Sequence, residues 1–185
     1  MFEIPESIQQ AQDAAICLYS AEEVERALDN LAKEINQQLA DSCPVIMCVM
    51  NGGIVPTGML LTRLDFLLQV DYLHATRYQD ETSGNDILWK VEPNIDLKGR
   101  TVLVIDDILD EGITLATIIE LCESRGADTV LSAVLVEKLH ERKASNVQAD
   151  FVGLKIEDRY VFGYGMDYRG YLRNAAGIFA VREED

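Results

Sequence analysis

Soft-metal and thiol chemistry have little to work with in this chain, which contains two histidines and four cysteines. Cys17, Cys43, Cys48 and Cys122 form no CxxC pair and no zinc spacing, so they read as reduced, mostly structural thiols. A histidine-rich metal site is excluded in the same way. No apolar run approaches the ~20 residues that a membrane-spanning helix needs. The opening "MFEIPESIQQ" is acidic and lacks a basic segment or small-residue cleavage site, so it does not read as a secretory signal. A cytoplasmic protein is expected. Basic residues are also scarce, with 16 Lys+Arg against 32 Asp+Glu and a formal net charge of −16. That balance repels nucleic acid and anionic membrane surfaces. It leaves room for a small polyanion, provided that Mg²⁺ or backbone N–H groups supply the positive partner.

The hydrophobic pattern is that of one α/β domain spanning 1–185. Ser20 and Glu23 have the form of a capping box. The apolar series Val24, Leu28, Leu31, Ile35, Leu39 then predicts a helix to about Ala40. "CPVIMCVM" (43–50) is a continuous apolar run, as expected of a strand buried on both faces. It stops at "NGG", and Pro56 suits the first turn of a helix running to about Phe66. Further strands are predicted at 67–75, 87–91, 101–106, 129–138, 150–156 and 177–181, with a helix from Ile113 to Arg125 ended by Gly126. The segment 160–168 mixes strand and turn character, and "TRYQDETSGND" (76–86) is the longest candidate loop. Strands alternating with helices imply an open, largely parallel sheet covered on both faces, with ligands beyond the carboxyl ends of the strands.

One such end is unusual. "TVLVIDDILDEGITLAT" (101–117) runs a buried strand straight into four acids, a glycine and a threonine. Asp106 and Asp107 close the predicted strand, and alternation would send them to opposite sides. Gly112 permits a tight turn, and the helix start with the Thr114 hydroxyl forms a phosphate cradle. Acids that hold a divalent cation or sugar hydroxyls beside such a cradle suit a phosphorylated ribose. Any single acid here could merely favour the helix dipole; the whole run is poorly explained that way. "GIVPTGML" (53–60) lacks the Lys-Ser/Thr of a nucleoside-triphosphate loop. No GxGxxG opens a helix, and no Ser/His/Asp triad is readable.

"VLVIDDILDEGITL" resembles the phosphoribosyl-pyrophosphate (PRPP) motif of type I phosphoribosyltransferases. "VLVEK", "DFVGLKI" and "RYVFGYGMDYRGYLRN" are similar to later segments of the hypoxanthine-guanine branch, so the likeness runs from about Val45 to Val181. It implies purine salvage, in which a 6-oxopurine displaces pyrophosphate from PRPP with Mg²⁺ as cofactor. Asp106 and Asp107 would contact the ribose hydroxyls, directly or through the metal. Asp110 would face N7 of the purine as general base. Asp110, Glu111, Gly112, Ile113 and Thr114 would hold the 5′-phosphate. Lys138 would donate to the 6-oxo group, Tyr160 would stack on the ring, and the Val161 backbone would read its edge. Asp167 would sit near a second Mg²⁺ and Arg173 near the pyrophosphate. "MNGG" (50–53), with Asn51 and Gly52, resembles the pyrophosphate loop, where the family often has a cis peptide. A hood from both terminal segments, a mobile loop at about 76–87 containing Arg77 and Tyr78, and a homodimer or homotetramer are implied as well.

Plainer readings stand beside these. Lys138 could end a strand and reach solvent, Tyr160 could be core, and Asp167 with Arg173 could be a surface ion pair. His140 and Arg142 read as exposed and without a role. Asn51 stands where the family commonly has Lys or Arg, and Arg77 where it commonly has Ser; Arg77 would then restore the charge missing at Asn51. Glu111 and Ile113 replace a common Thr and Lys, so Glu111 must face away from the phosphate or be offset. A preference for xanthine, or a non-catalytic PRPP or nucleotide sensor, are the alternatives in function.

Overall fold

The computed structural model describes residues 5–77, 87–143 and 147–182. The chain runs α1 (Glu6–Ala14), β1 (Ile16–Ser20), α2 (Ala21–Leu39), β2 (Val45–Met50), α3 (Ile54–Leu61), β3 (Gln69–Arg77) and β4 (Ile87–Val91). It continues β5 (Thr101–Leu109), α4 (Ile113–Ser124), β6 (Thr129–Leu139), β7 (Phe151–Glu157), β8 (Val161–Phe162) and β9 (Gly177–Ala180). Six strands form one sheet in the order β4-β3-β2-β5-β6-β7, parallel except where β4 joins β3. A separate antiparallel sheet, β1-β9-β8, joins the first described strand to the last two.

The continuous apolar runs are explained by two cores. In β5, Leu103 and Ile105 face α2, α3 and the small sheet, while Val102 and Val104 face α4. A strand covered on both sides has no position left for a polar residue. α2 begins at the capping box: the Ser20 side chain accepts from the Glu23 N–H, and the Glu23 carboxylate accepts from the Ser20 N–H at 2.8 Å. Its stripe Val24, Leu28, Leu31, Ile35, Leu39 is buried.

Three expectations need correction. α3 ends at Leu61, not near Phe66. Arg63 donates to the Met59 carbonyl at 2.8 Å and is tied to Asp29 and Glu25 of α2, and these tertiary ties turn the chain out of the helix. β5 runs on to Leu109, because β6 continues to pair with it, Ile108 opposite Val136 and Leu109 opposite Glu137. The elements α1 and β1 were not anticipated at all; Ile8 is the one buried residue of α1, and β1 is half-exposed. The apolar residues of α3 largely serve the core, with Leu60 buried and Met59 and Leu61 packed on it, while Ile54 remains exposed. No helix among the described residues is long and apolar enough to cross a membrane.

Cys48 and Cys122 are buried, and Cys17 and Cys43 are exposed. Burial pushes the Cys122 thiol up to about 11 and raises that of Cys48, so neither has appreciable thiolate near neutrality. A chromogenic disulfide reagent near neutral pH is expected to titrate the two exposed thiols quickly and all four only after denaturation. Fast reaction of a third thiol in the folded protein would contradict this packing.

Candidate active site

The parallel strands β2, β5 and β6 end side by side, and a cavity of about 500 Å³ opens there beneath the small sheet. After β2 the chain turns through a cis Met50–Asn51 peptide into Gly52. A Cβ on Gly52 would lie 2.0 Å from Asp107 Oδ2, so only glycine lets this loop rest on the carboxylate. Asn51, Gly52, Asp106 and Asp107 all border the cavity. Strand alternation was expected to separate the two acids, yet both reach the cleft, because the bare Gly52 leaves open the side on which Asp107 lies.

Asp107 is buried and donates its N–H to Asp106 Oδ1 at 2.9 Å. Burial, then the neighbouring Asp107, pushes Asp106 well above the ordinary carboxylate range. Burial also raises Asp107, against the opposing pull of the Asp106 hydrogen bond and of Arg173. Arg173 is the nearby cation: its Nη1 lies 3.9 Å from Asp107 Oδ2 and donates to the Gly165 carbonyl at 2.5 Å, and its Nη2 pairs with Asp167. Asp167 and Arg173 are therefore an ion pair, as the plainer reading had it, but one that borders the cleft.

β5 leads through Asp110 and Glu111 to Gly112, which has φ +85° and starts α4. A Cβ there would also come within 3.1 Å of Val147. Asp106, Asp107, Asp110, Gly112 and Thr114 surround a smaller recess of about 200 Å³ at the helix start. Glu111 has Arg142 Nη1 at 3.9 Å, which supplies part of the offset its charge needed; Ile113 is half-buried on the first turn of α4.

Lys138, near the end of β6, is largely buried and donates from Nζ to Asp110 Oδ2 at 2.8 Å, with Asp158 Oδ1 at 3.7 Å. It does not simply reach solvent. His140, read from the sequence as exposed, has a side chain only 6% exposed, and its Nε2 lies 2.7 Å from Asp110 Oδ1. That reading is corrected: His140 follows directly on the end of β6, two positions after Lys138, and its ring turns inward to Asp110. Arg142 is exposed as expected, and its guanidinium pairs with Asp158. Partial burial works against the charged form of Asp110. The hydrogen bonds from Lys138 and His140 outweigh it and hold the group below its ordinary value. Tyr160 is 54% exposed at the cleft rim, edge-on to Tyr168 with centroids 5.6 Å apart, so it is not core. Val161 is buried and also lines the cleft. Arg77 ends β3; its side chain, Tyr78 and the loop to residue 86 lie outside the described residues.

A profile for the phosphoribosyl transferase domain matches residues 17–169. The chain belongs to the phosphoribosyltransferase family. It is similar to the hypoxanthine-guanine phosphoribosyltransferase of Bacillus subtilis, at 32% identity over 158 residues, covering 85% of this chain and 87% of that one. It is also similar to the hypoxanthine-guanine-xanthine phosphoribosyltransferase of Tritrichomonas foetus, at 30% identity with 90% and 91% covered. The solved hypoxanthine phosphoribosyltransferase of Staphylococcus aureus superposes with a TM-score of 0.87 at 26% identity, covering 97% of each chain.

Within this phosphoribosyltransferase three residues escaped the sequence reading: His140, which contacts Asp110, and His74 and Lys90, which line the cleft. Lys90 could have been found from its place in the predicted strand 87–91, which runs along the same sheet edge as His74. Burial, then the charges of Lys90 and Arg173, lowers the His74 pKa. Among the described residues, one group of His, Cys and acid ligand atoms lies within 4.8 Å, namely Asp110, His140 and Asp158. The Lys138 ammonium, 2.8 Å from Asp110 and 3.7 Å from Asp158, already places a cation among them.

The depressed Asp110 value gives a directional test. A carboxylate whose folded pKa lies below its unfolded one contributes stability above the ordinary carboxylate range and loses it as pH falls through the folded value. A ¹³C titration of the Asp110 carboxyl is expected to show a midpoint below the usual aspartate value, moving upward in Lys138→Met. A midpoint at or above the usual value in the native protein would contradict the arrangement.

Proposed function

We propose that this phosphoribosyltransferase serves purine salvage: it transfers the phosphoribosyl group of PRPP to hypoxanthine or guanine, giving IMP or GMP and pyrophosphate. One observation carries the reading. A lysine ammonium and a carboxylate, Lys138 and Asp110, stand together at the cleft wall, a donor for a 6-oxo acceptor beside an acceptor for a ring N–H. Adenine presents a 6-amino donor to the same ammonium, and a mismatched buried polar pair costs roughly 1–3 kcal/mol.

In the proposed reaction a purine nitrogen bonds to C1 of the ribose as the bond from C1 to the pyrophosphate oxygen breaks. Asp110 takes the proton released from the ring, a role worth roughly 10²–10⁴-fold. It is held as a carboxylate before the base arrives. Tyr160, exposed at the cleft rim, stacks on the purine, and the Val161 backbone reads its edge. The 5′-phosphate is held at the start of α4 by the segment Asp110, Glu111, Gly112, Ile113 and Thr114, of which Asp110, Gly112 and Thr114 line the recess there. Asn51, Gly52 and Arg173 face the departing pyrophosphate.

The residues present fit Mg²⁺. Asp106 and Asp107 are hard oxygen donors, crowded and pushed upward by burial, and Asp167 lines the same cleft and shares the Arg173 guanidinium with Asp107. Such a set suits a hard divalent cation that keeps several waters. When bound, the ion would neutralise charge developing on the leaving pyrophosphate. Residues 1–185 as one domain, a small sheet serving as hood, a homodimer or homotetramer using exposed Ile54, and a cytoplasmic setting belong to the same proposal.

The test is pyrophosphate release from PRPP and Mg²⁺ with hypoxanthine, guanine, xanthine, adenine or uracil supplied singly. Release with hypoxanthine and guanine, and none with adenine or uracil, is expected. Release with xanthine alone would keep the mechanism and overturn the substrate assignment; the Tritrichomonas foetus relative, whose name includes xanthine, makes that arm worth running. No release with any base, from folded protein that binds PRPP, would overturn the catalytic reading in favour of a sensor.

A further inference from the structure

We infer that His140 is a positioning residue, which keeps the Asp110 carboxylate aimed at the base once the 6-oxo group has drawn Lys138 away from it. The inference rests on the activity proposed above and assigns a role to a side chain that the reaction as described does not use.

The two oxygens of Asp110 have different partners. Lys138 Nζ donates to Oδ2 at 2.8 Å, and His140 Nε2 lies 2.7 Å from Oδ1. The other ring nitrogen decides the tautomer. His140 Nδ1 accepts the backbone N–H of Arg142 at 3.1 Å, so Nδ1 carries no proton. The proton of the neutral ring is on Nε2, and Nε2 donates to Asp110. The ring itself has little freedom, being 6% exposed and held at both nitrogens.

A binding base disturbs only one of these contacts. The 6-oxo acceptor competes with Oδ2 for the Lys138 ammonium. Asp110 sits on the irregular turn between β5 and Gly112, and its terminal torsion has a broad minimum. With Lys138 engaged elsewhere, the His140 N–H is its remaining side-chain donor among the described residues. That bond fixes Oδ1 and leaves Oδ2 facing the purine N–H. When the proton arrives at Oδ2, Nε2–H goes on donating to Oδ1, so His140 neither gains nor loses a proton. The charged groups around the pair are Lys138, Asp158 at 3.7 Å from Lys138, and Arg142, which pairs with Asp158 and approaches Glu111 to 3.9 Å. None of them offers Asp110 a further donor.

The variants His140→Ala and His140→Gln separate donor from bulk, since the glutamine amide can present an N–H near the place of Nε2. Both are compared with the wild type for thermal melting, PRPP affinity by calorimetry, kcat across pH, and the ¹³C titration of the Asp110 carboxyl. His140→Ala is expected to lower kcat about tenfold or more, the usual consequence of removing a hydrogen bond to a charged group. Its PRPP affinity is expected to stay unchanged. Loss of a donor raises the Asp110 pKa, and the base works only when deprotonated, so the acid limb of the pH profile is expected to move to higher pH. His140→Gln is expected to recover most of the rate and the wild-type limb. Two results would each overturn the inference: an Asp110 titration unmoved in His140→Ala, whatever the activity, or a His140→Gln variant as impaired as His140→Ala. A wild type that releases no pyrophosphate is a different outcome and overturns the underlying activity.

Discussion

Two adjacent carboxylates at the buried end of β5 set the terms for the rest of the molecule. Burial pushes both Asp106 and Asp107 upward, Asp106 further because Asp107 lies beside it, and a single arginine guanidinium at 3.9 Å is a thin offset. The surroundings follow from where they stand. The loop after β2 carries glycine because Asp107 occupies the place of a side chain at position 52. Arg173 reaches Asp107, Asp167 and the Gly165 carbonyl together, which fastens the segment between β8 and β9 to the end of the large sheet. Charge crowded in a desolvated place lowers stability unless a partner arrives. Such a pair is understandable where a ligand brings its own cation and hydroxyls.

The same electrostatics reconcile an acidic chain with an anionic substrate. Of 16 basic residues in a chain of net charge −16, Lys90, Lys138 and Arg173 all line one cleft. A field concentrated by low-dielectric walls can attract a polyanion locally while the outer surface repels nucleic acid. Lys90 and Asn51 line the same cleft as Arg173. Lys90 of β4 is a cleft cation that the sequence reading, which looked to Arg77, did not consider.

Much of this was legible in the sequence, for reasons that also explain the failures. β2, β5 and β6 were readable because strands buried on both faces must be apolar throughout, and their ends are marked by the first polar residues. Ser20 and Glu23 announced α2 because a capping box is a local device. α3 was overrun because its end is set by Arg63 binding Asp29 and Glu25 on another helix, which no local pattern encodes. α1 and β1 were missed because each keeps most of its side chains in solvent and so shows no strong period. At the site, Asp106, Asp107, Asp110 and Thr114 stood in one contiguous motif. His140 did not, since its role comes from a contact across 30 positions of sequence, and its only local signal was the two-residue step from Lys138.

The measurement closest to the central claim is thermal melting of the wild type and the double variant Asp106→Asn, Asp107→Asn, each alone and with Mg²⁺ plus PRPP. Carboxylates whose folded pKa is raised cost folding stability when ionised at neutral pH. The ligand-free variant is therefore expected to melt higher than the ligand-free wild type. Mg²⁺ and PRPP together are expected to raise the wild-type melting temperature, as a ligand bound only by the native state must, and to leave the variant unmoved. A ligand-free variant that melts lower, or one that still gains the full ligand-dependent increase, would contradict the account.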